Sequence, residues 1–129
     1  MSRGVGDVYK RQGLASCEFS SVELVKACLD QIELYDVHIN AFTHINIKAL
    51  AEAKKSDLRR SSGTALSKLD GIPIAVKDNI DVMGLPTTNG LNTKWCPEED
   101  AEIIKNLKSK GIIIPVSYTH LTLPTRIFV

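Results

Sequence analysis

The sequence is poor in the features that mark a specialised class. It has only three cysteines, Cys17, Cys28 and Cys96, at irregular spacing and with no C-x-x-C pair. An odd, scattered set is not a disulfide framework, and with the histidines far away in sequence it does not make a zinc site. Reduced thiols suit a cytosolic protein. No apolar run approaches the roughly 20 residues of a membrane-spanning helix. The charged stretch from Met1 to Gln12 leads into no apolar segment, so it is not a secretory signal, and the expected location is the cytoplasm. An excess of one charge is missing too. Sixteen basic against fifteen acidic residues leave a net charge of +1, which implies no direct nucleic-acid binding. At 129 residues the chain suffices for one small domain with one core, and neither repeat nor linker divides it.

What is present is an alternation of helical and strand patterns. Ser20 followed by Glu23 is a capping-box pair. Val22, Val25, Cys28, Leu29, Ile32 and Tyr35 then recur at helical spacing, which predicts a helix over 21–35 with Cys28 on its core face. Residues 40–45 are rich in strand formers, and 47–59 read as a helix with a small apolar face of alanines. Further on, Glu98, Glu99, Asp100 and Glu102 precede Lys105, Lys108 and Lys110, an order that complements a helix dipole. Ile103, Ile104 and Leu107 supply the apolar stripe, Gly111 the C-terminal cap, and Ile112 begins another strand. Strand, loop, helix and strand from Gly71 to Ile114 predict a right-handed parallel crossover in an α/β unit.

The chemically informative string is LDGIPIAVK, residues 69–77. Ile72, Ile74 and Val76 face one way and Ala75 and Lys77 the other, so the pattern predicts a buried strand with a lysine at its C-terminal end. Ligands of such sheets sit beyond those ends. One reading has Lys77 reaching solvent or pairing with Asp78 or Asp81. The other has burial favouring a neutral amine that accepts a proton and activates a hydroxyl nucleophile. Asp78 and Asn79 either form a turn on local backbone or orient the lysine.

Residues 69–90, LDGIPIAVKDNIDVMGLPTTNG, closely resemble the lysine motif of the amidase-signature family. The run from Ser20 to Val25, the Ile39 to Phe42 segment, and the stretch from Asp100 to Ile112 are similar to that family in the same order. The resemblance implies a mixed central sheet flanked by helices, of which the chain holds the N-terminal part. It implies cleavage of an amide bond by a Ser–Ser–Lys triad, with Lys77 as base through a bridging serine held by a cis peptide. It also implies that Thr87, Thr88 and Gly90 line a substrate site, although Thr and Gly equally suit loop shape. A small amide substrate is implied, with no cofactor and no metal.

The two triad serines are expected in a Gly/Ser-rich segment beyond the strand at Ile112. Ser61, Ser62 and Ser117 are poor substitutes, so the chain as written is expected to be inactive. Residues 6–12 and 115–125 resemble translated sequencing-adapter sequence. The expected division is therefore a non-native leader over 1–12, the N-terminal part of an amidase domain over 13–114, and a non-native tail over 115–129. The alternative is a genuine divergent terminus with Ser117 to Leu123 as an edge strand. Lacking neighbours for its strands, such a piece is expected to be poorly soluble or partly unfolded. Three functions compete: part of a stand-alone amidase, towards which residues 86–90 lean; part of the amidotransferase component that frees ammonia from glutamine for tRNA-linked amidation; and a non-catalytic module derived from an amidase.

Overall fold

Ser20 and its neighbours organise the first long helix. A computed structural model describes residues 3–40 and 42–118, so the expectations placed on residues 119–129 lie outside the described residues. Helix α1 (Arg3–Ala15) comes first, where the sequence shows no periodicity, and it is anchored by Leu14, which is fully buried. Helix α2 (Ser21–Ile39) begins with both halves of the expected capping box. The Glu23 N–H donates to the Ser20 hydroxyl (3.0 Å), and the Ser20 N–H donates to the Glu23 carboxylate (3.2 Å). Asp57 accepts from the N–H groups of Ser21 (2.7 Å) and Val22 (3.1 Å). The first-turn donors that a helix leaves unpaired are thus met by carboxylate and hydroxyl oxygens, and the negative charge suits the positive end of the helix. Asn40 ends α2 in the left-handed conformation (φ 53°).

Strand β1 (Phe42–Ile45) and helix α3 (Ala49–Ser61) follow, then β2 (Pro73–Lys77), α4 (Glu102–Ser109) and β3 (Ile113–Tyr118). The three strands form one mixed sheet in the order β1-β3-β2, with β1 antiparallel and β2 parallel to β3. This is the predicted α/β arrangement, with β2 and β3 parallel and joined through α4. Helix α4 starts later than the acidic run suggests. Asp100 instead accepts from the Met83 N–H (2.7 Å) and pairs with Lys108 (3.0 Å), while the Ala101 N–H is held by the Asp81 carbonyl (2.9 Å).

The core lies on both faces of the sheet. Ile72, Val76, Ile112 and Ile114 pack with Leu14, Val82, Leu85 and Ile104 on one face. Ile113 packs with Val25, Ala49 and Ala53, and Val116 with Ile32 and Phe42, on the other. Ile113 and Val116 are three positions apart yet both face α2, which a regular two-residue repeat forbids. The register explains it: Pro73 pairs with Ile113 and Ala75 with Val116, so β3 carries an extra residue there. Pro115 sits in that irregular stretch, where its missing N–H costs least. It is therefore placed within the middle strand of the described sheet, not at an edge.

A polar knot ties these elements together at the entry of β2. Asp70 is completely buried and accepts from Arg59 Nε (2.8 Å), Arg59 Nη2 (2.7 Å), the Ser56 hydroxyl (2.7 Å) and the Leu66 N–H (2.9 Å). The Asp70 carbonyl accepts from Arg60 Nη2 (2.6 Å). Next along the chain, Gly71 (φ +91°) donates its N–H to the Gly111 carbonyl (2.9 Å) and accepts from the Ser21 hydroxyl (2.7 Å). A Cβ at Gly71 would lie 2.6 Å from Ser56 Oγ and 2.8 Å from Ser21 Cβ, so the close approach requires glycine. Burial alone would raise the Asp70 carboxyl, but the bonds from Arg59, Leu66 and Ser56 outweigh it and hold the group below its ordinary value.

Asp70→Ala should destabilise the chain by about 3 kcal/mol, the low end for a broken buried pair because Arg59 reaches solvent. Urea unfolding followed by circular dichroism at low protein concentration reads this directly. The depressed Asp70 contributes stability that is fully present above its unfolded value, about 3.9. That contribution is lost as pH falls through the lower folded value. Asp70→Asn should therefore flatten the acid limb of stability against pH, whereas an unchanged limb would remove Asp70 as its source.

Candidate active site

Lys77 is the last residue of β2, at the C-terminal end expected of it. It is exposed, as in the first of the two readings that the strand pattern left open. The reason is position: β2 is an outer strand of the described sheet, and Lys77, its last residue, follows the buried Val76. The apolar faces alternate as predicted, with Ile72 and Val76 in one cluster and Ala75 packed against the other.

Immediately beyond, the chain folds back on itself. The Asp78 N–H donates to the Tyr118 carbonyl (2.8 Å), extending the pairing with β3 one residue past Lys77. The Lys77 carbonyl accepts from the Ile80 N–H (3.1 Å), which starts the turn. The Asp78 carbonyl accepts from the Thr88 N–H (3.1 Å) and the Asn89 N–H (3.4 Å). The Asp78 side chain, 2% exposed, accepts a hydrogen bond from the Thr88 hydroxyl. That hydroxyl in turn accepts from the Gly90 N–H (3.2 Å). Asn89 (φ 50°) and Gly90 (φ +81°) both adopt left-handed backbone, which turns the loop tightly enough for this closure.

Of the residues singled out in the sequence, Asp78, Thr88 and Gly90 are therefore brought together against the end of β2, beside Lys77. Asn79 is exposed. Thr87 is 7% exposed, its N–H donates to the Trp95 carbonyl (3.1 Å), and its hydroxyl has no hydrogen-bond partner among the described residues. An open groove of about 890 Å³ nearby is lined by His44, Asn46, Met83, Pro86 and Cys96, among others, but not by Lys77, Thr87 or Thr88. Cys28 lies in the core, and burial pushes its thiol up despite the opposing pull of Lys10, which keeps it from acting as a nucleophile. Among the described residues no group of His, Cys, Asp or Glu is arranged to hold a metal ion, and no helix is long and apolar enough to cross a membrane. The sequence pattern did not reveal the Asp70 knot. Its one visible signal is the Asp-Gly pair directly before the strand.

The comparisons with known proteins agree with this fold. The Stenotrophomonas maltophilia peptide amidase superposes with a TM-score of 0.79 at 28% identity, covering 83% of this chain and 23% of that one. An amidase family protein from Bacillus anthracis gives a TM-score of 0.76 at 33% identity, covering 83% and 22%. The architecture is thus that of part of an amidase-signature enzyme. A sequence profile of the family described as Amidase matches residues 23–122, and the chain belongs to that family. Among curated relatives, the glutamyl-tRNA(Gln) amidotransferase A-subunit of Chloroflexus aggregans is 42% identical over 104 residues, which is 78% of this chain and 21% of that protein. Its counterpart from Salinispora tropica is 38% identical over the same coverage. The chain spans about a fifth of the length of these curated relatives.

The unpartnered Thr87 hydroxyl predicts an asymmetry. Thr87→Val replaces a buried, unmet polar group by a methyl of the same shape. It should leave the stability of this chain unchanged or raise it by up to about 1 kcal/mol. A clear drop in the urea midpoint would mean that the hydroxyl has a partner after all.

Proposed function

We propose that the chain carries the lysine-bearing part of an amide-hydrolysing site, with Lys77 as the base. The observation that carries this reading is the delivery of Lys77 at the end of a strand inside a matched amidase span, with the following residue tied to the next loop. In the proposed reaction a serine from the rest of the protein attacks the amide carbon. Its proton passes through a second serine to the Lys77 amine. The tetrahedral intermediate then collapses, the proton goes to the departing ammonia or amine, and water releases the acyl group. Backbone N–H groups holding the oxyanion supply much of the rate. Asp78 serves as support for the lysine, and Asn79 as part of the turn behind it. The three free thiols fit a reducing compartment, and the proposal places the protein in the cytoplasm.

A second reading has a specific observation behind it. The curated relatives at 36–42% identity are named as components of a glutamyl-tRNA(Gln) amidotransferase, which favours release of ammonia from glutamine within a complex. Ser61 and Ser62 close helix α3 and Ser117 is buried in β3, so none of them is proposed as the nucleophile.

The test uses the longer protein that carries this segment, assayed for ammonia release. Lys77→Ala should lower kcat by about 10²- to 10⁴-fold, the usual range for a lost general base, without changing the melting temperature. Undiminished hydrolysis would exclude Lys77 as the base. Turnover of glutamine but not of small carboxamides would select the amidotransferase reading, and the reverse preference the stand-alone amidase.

A further inference from the structure

We infer that Thr88 and Asp78 form a latch that fixes the end of β2, and that Thr88 is a positioning residue and not a substrate contact. The inference rests on the reading of Lys77 as the base, and it assigns a role to a threonine that family resemblance alone would place in the substrate site.

Hydrogen-bond capacity decides between the two roles. A threonine hydroxyl has a single donor. In Thr88 that donor is spent on the Asp78 carboxylate, and the oxygen already accepts from the Gly90 N–H (3.2 Å). The residue is only 5% exposed, so it presents little surface to a ligand. Its backbone is engaged as well: the N–H donates to the Asp78 carbonyl (3.1 Å) and the carbonyl accepts from the Leu91 N–H (2.8 Å). Every polar group of Thr88 is therefore engaged, with Asp78 or within its own loop.

Asp78 is in turn held from three directions. Tyr118 accepts from its N–H (2.8 Å), Thr88 and Asn89 donate to its carbonyl (3.1 and 3.4 Å), and Thr88 donates to its carboxylate. A residue fixed at its N–H, its carbonyl and its side chain leaves little freedom to the peptide joining it to Lys77. The lysine itself is exposed, and the latch supplies the direction of the strand end from which its side chain leaves. Misplacement of a reacting group by about 1 Å costs on the order of 10²-fold in rate. The neighbouring Thr87, whose hydroxyl is unpartnered among the described residues, takes no part in the closure.

The experiment compares Thr88→Val, Thr88→Ser and Lys77→Ala in the longer protein, at a temperature where circular dichroism shows each folded. Thr88→Val should lower kcat by about 10²-fold with KM within about twofold, and Thr88→Ser, which keeps the hydroxyl, should restore kcat. Hydrogen exchange should show the Asp78 and Asn89 amides losing about tenfold in protection in Thr88→Val alone. A rise in KM with kcat held would make Thr88 a substrate contact and overturn the inference. So would faster exchange with no loss of kcat, or a Thr88→Ser variant as impaired as Thr88→Val. Hydrolysis that survives Lys77→Ala is a failure of the base reading instead, seen in a different variant.

Discussion

A carboxylate with no exposure to water sits where four segments meet. Asp70 accepts four hydrogen bonds, three of them from α3 side chains and one from the loop leading to β2, and its salt bridge to Arg59 is 2.7 Å long. An unpaired charge there would be costly, so the surrounding donors must be held in place for the chain to fold at all. The next residue, Gly71, continues the constraint by lying against Ser21 and Ser56 and bonding Gly111. The start of α2, the middle of α3, the entry of β2 and the approach to β3 are thereby fixed to one another. The depressed Asp70 carboxyl is a consequence of this, since the bonds that hold the charge outweigh the burial that opposes it.

From that anchor β2 runs five residues and ends at Lys77. Strand and lysine are thus positioned from both ends by buried carboxylates, Asp70 before the strand and Asp78 after it. The two act on different objects. Asp70 gathers side chains from α3, whereas Asp78 gathers the loop that returns through Thr88 to Gly90. The exposed Lys77 between them leaves its side chain on the rim of the described sheet.

Much of this was legible in the residues, and the exceptions have physical causes. The capping box at Ser20 and Glu23, the helical stripe through Val25 and Ile32, and the alternation of Ile72, Ala75 and Val76 are local patterns, and local patterns survive into the fold. The position of Lys77 at a strand end was legible for the same reason. Its exposure was one of two open readings, because burial depends on which strands lie alongside, and β2 has β3 on one side only within the described sheet. The later start of α4 was hidden because Asp100 prefers the Met83 N–H and Lys108, a contact across 17 positions. The placement of Pro115 in the middle strand depends on an irregularity in the pairing with β2, which no single segment encodes. The Asp70 knot joins residues 56, 59, 66 and 70 through side chains that each look ordinary in sequence.

The central claim is that Lys77 is placed to take a proton from a serine of the rest of the amidase domain. The most direct measurement is the crystal structure of the longer protein carrying this segment. The account predicts Lys77 Nζ within about 2.6–3.2 Å of a serine hydroxyl, the reach of a general base, with Asp78 and Thr88 still joined behind it. Lys77 held by a carboxylate, with the nucleophilic serine served by another base, would contradict it.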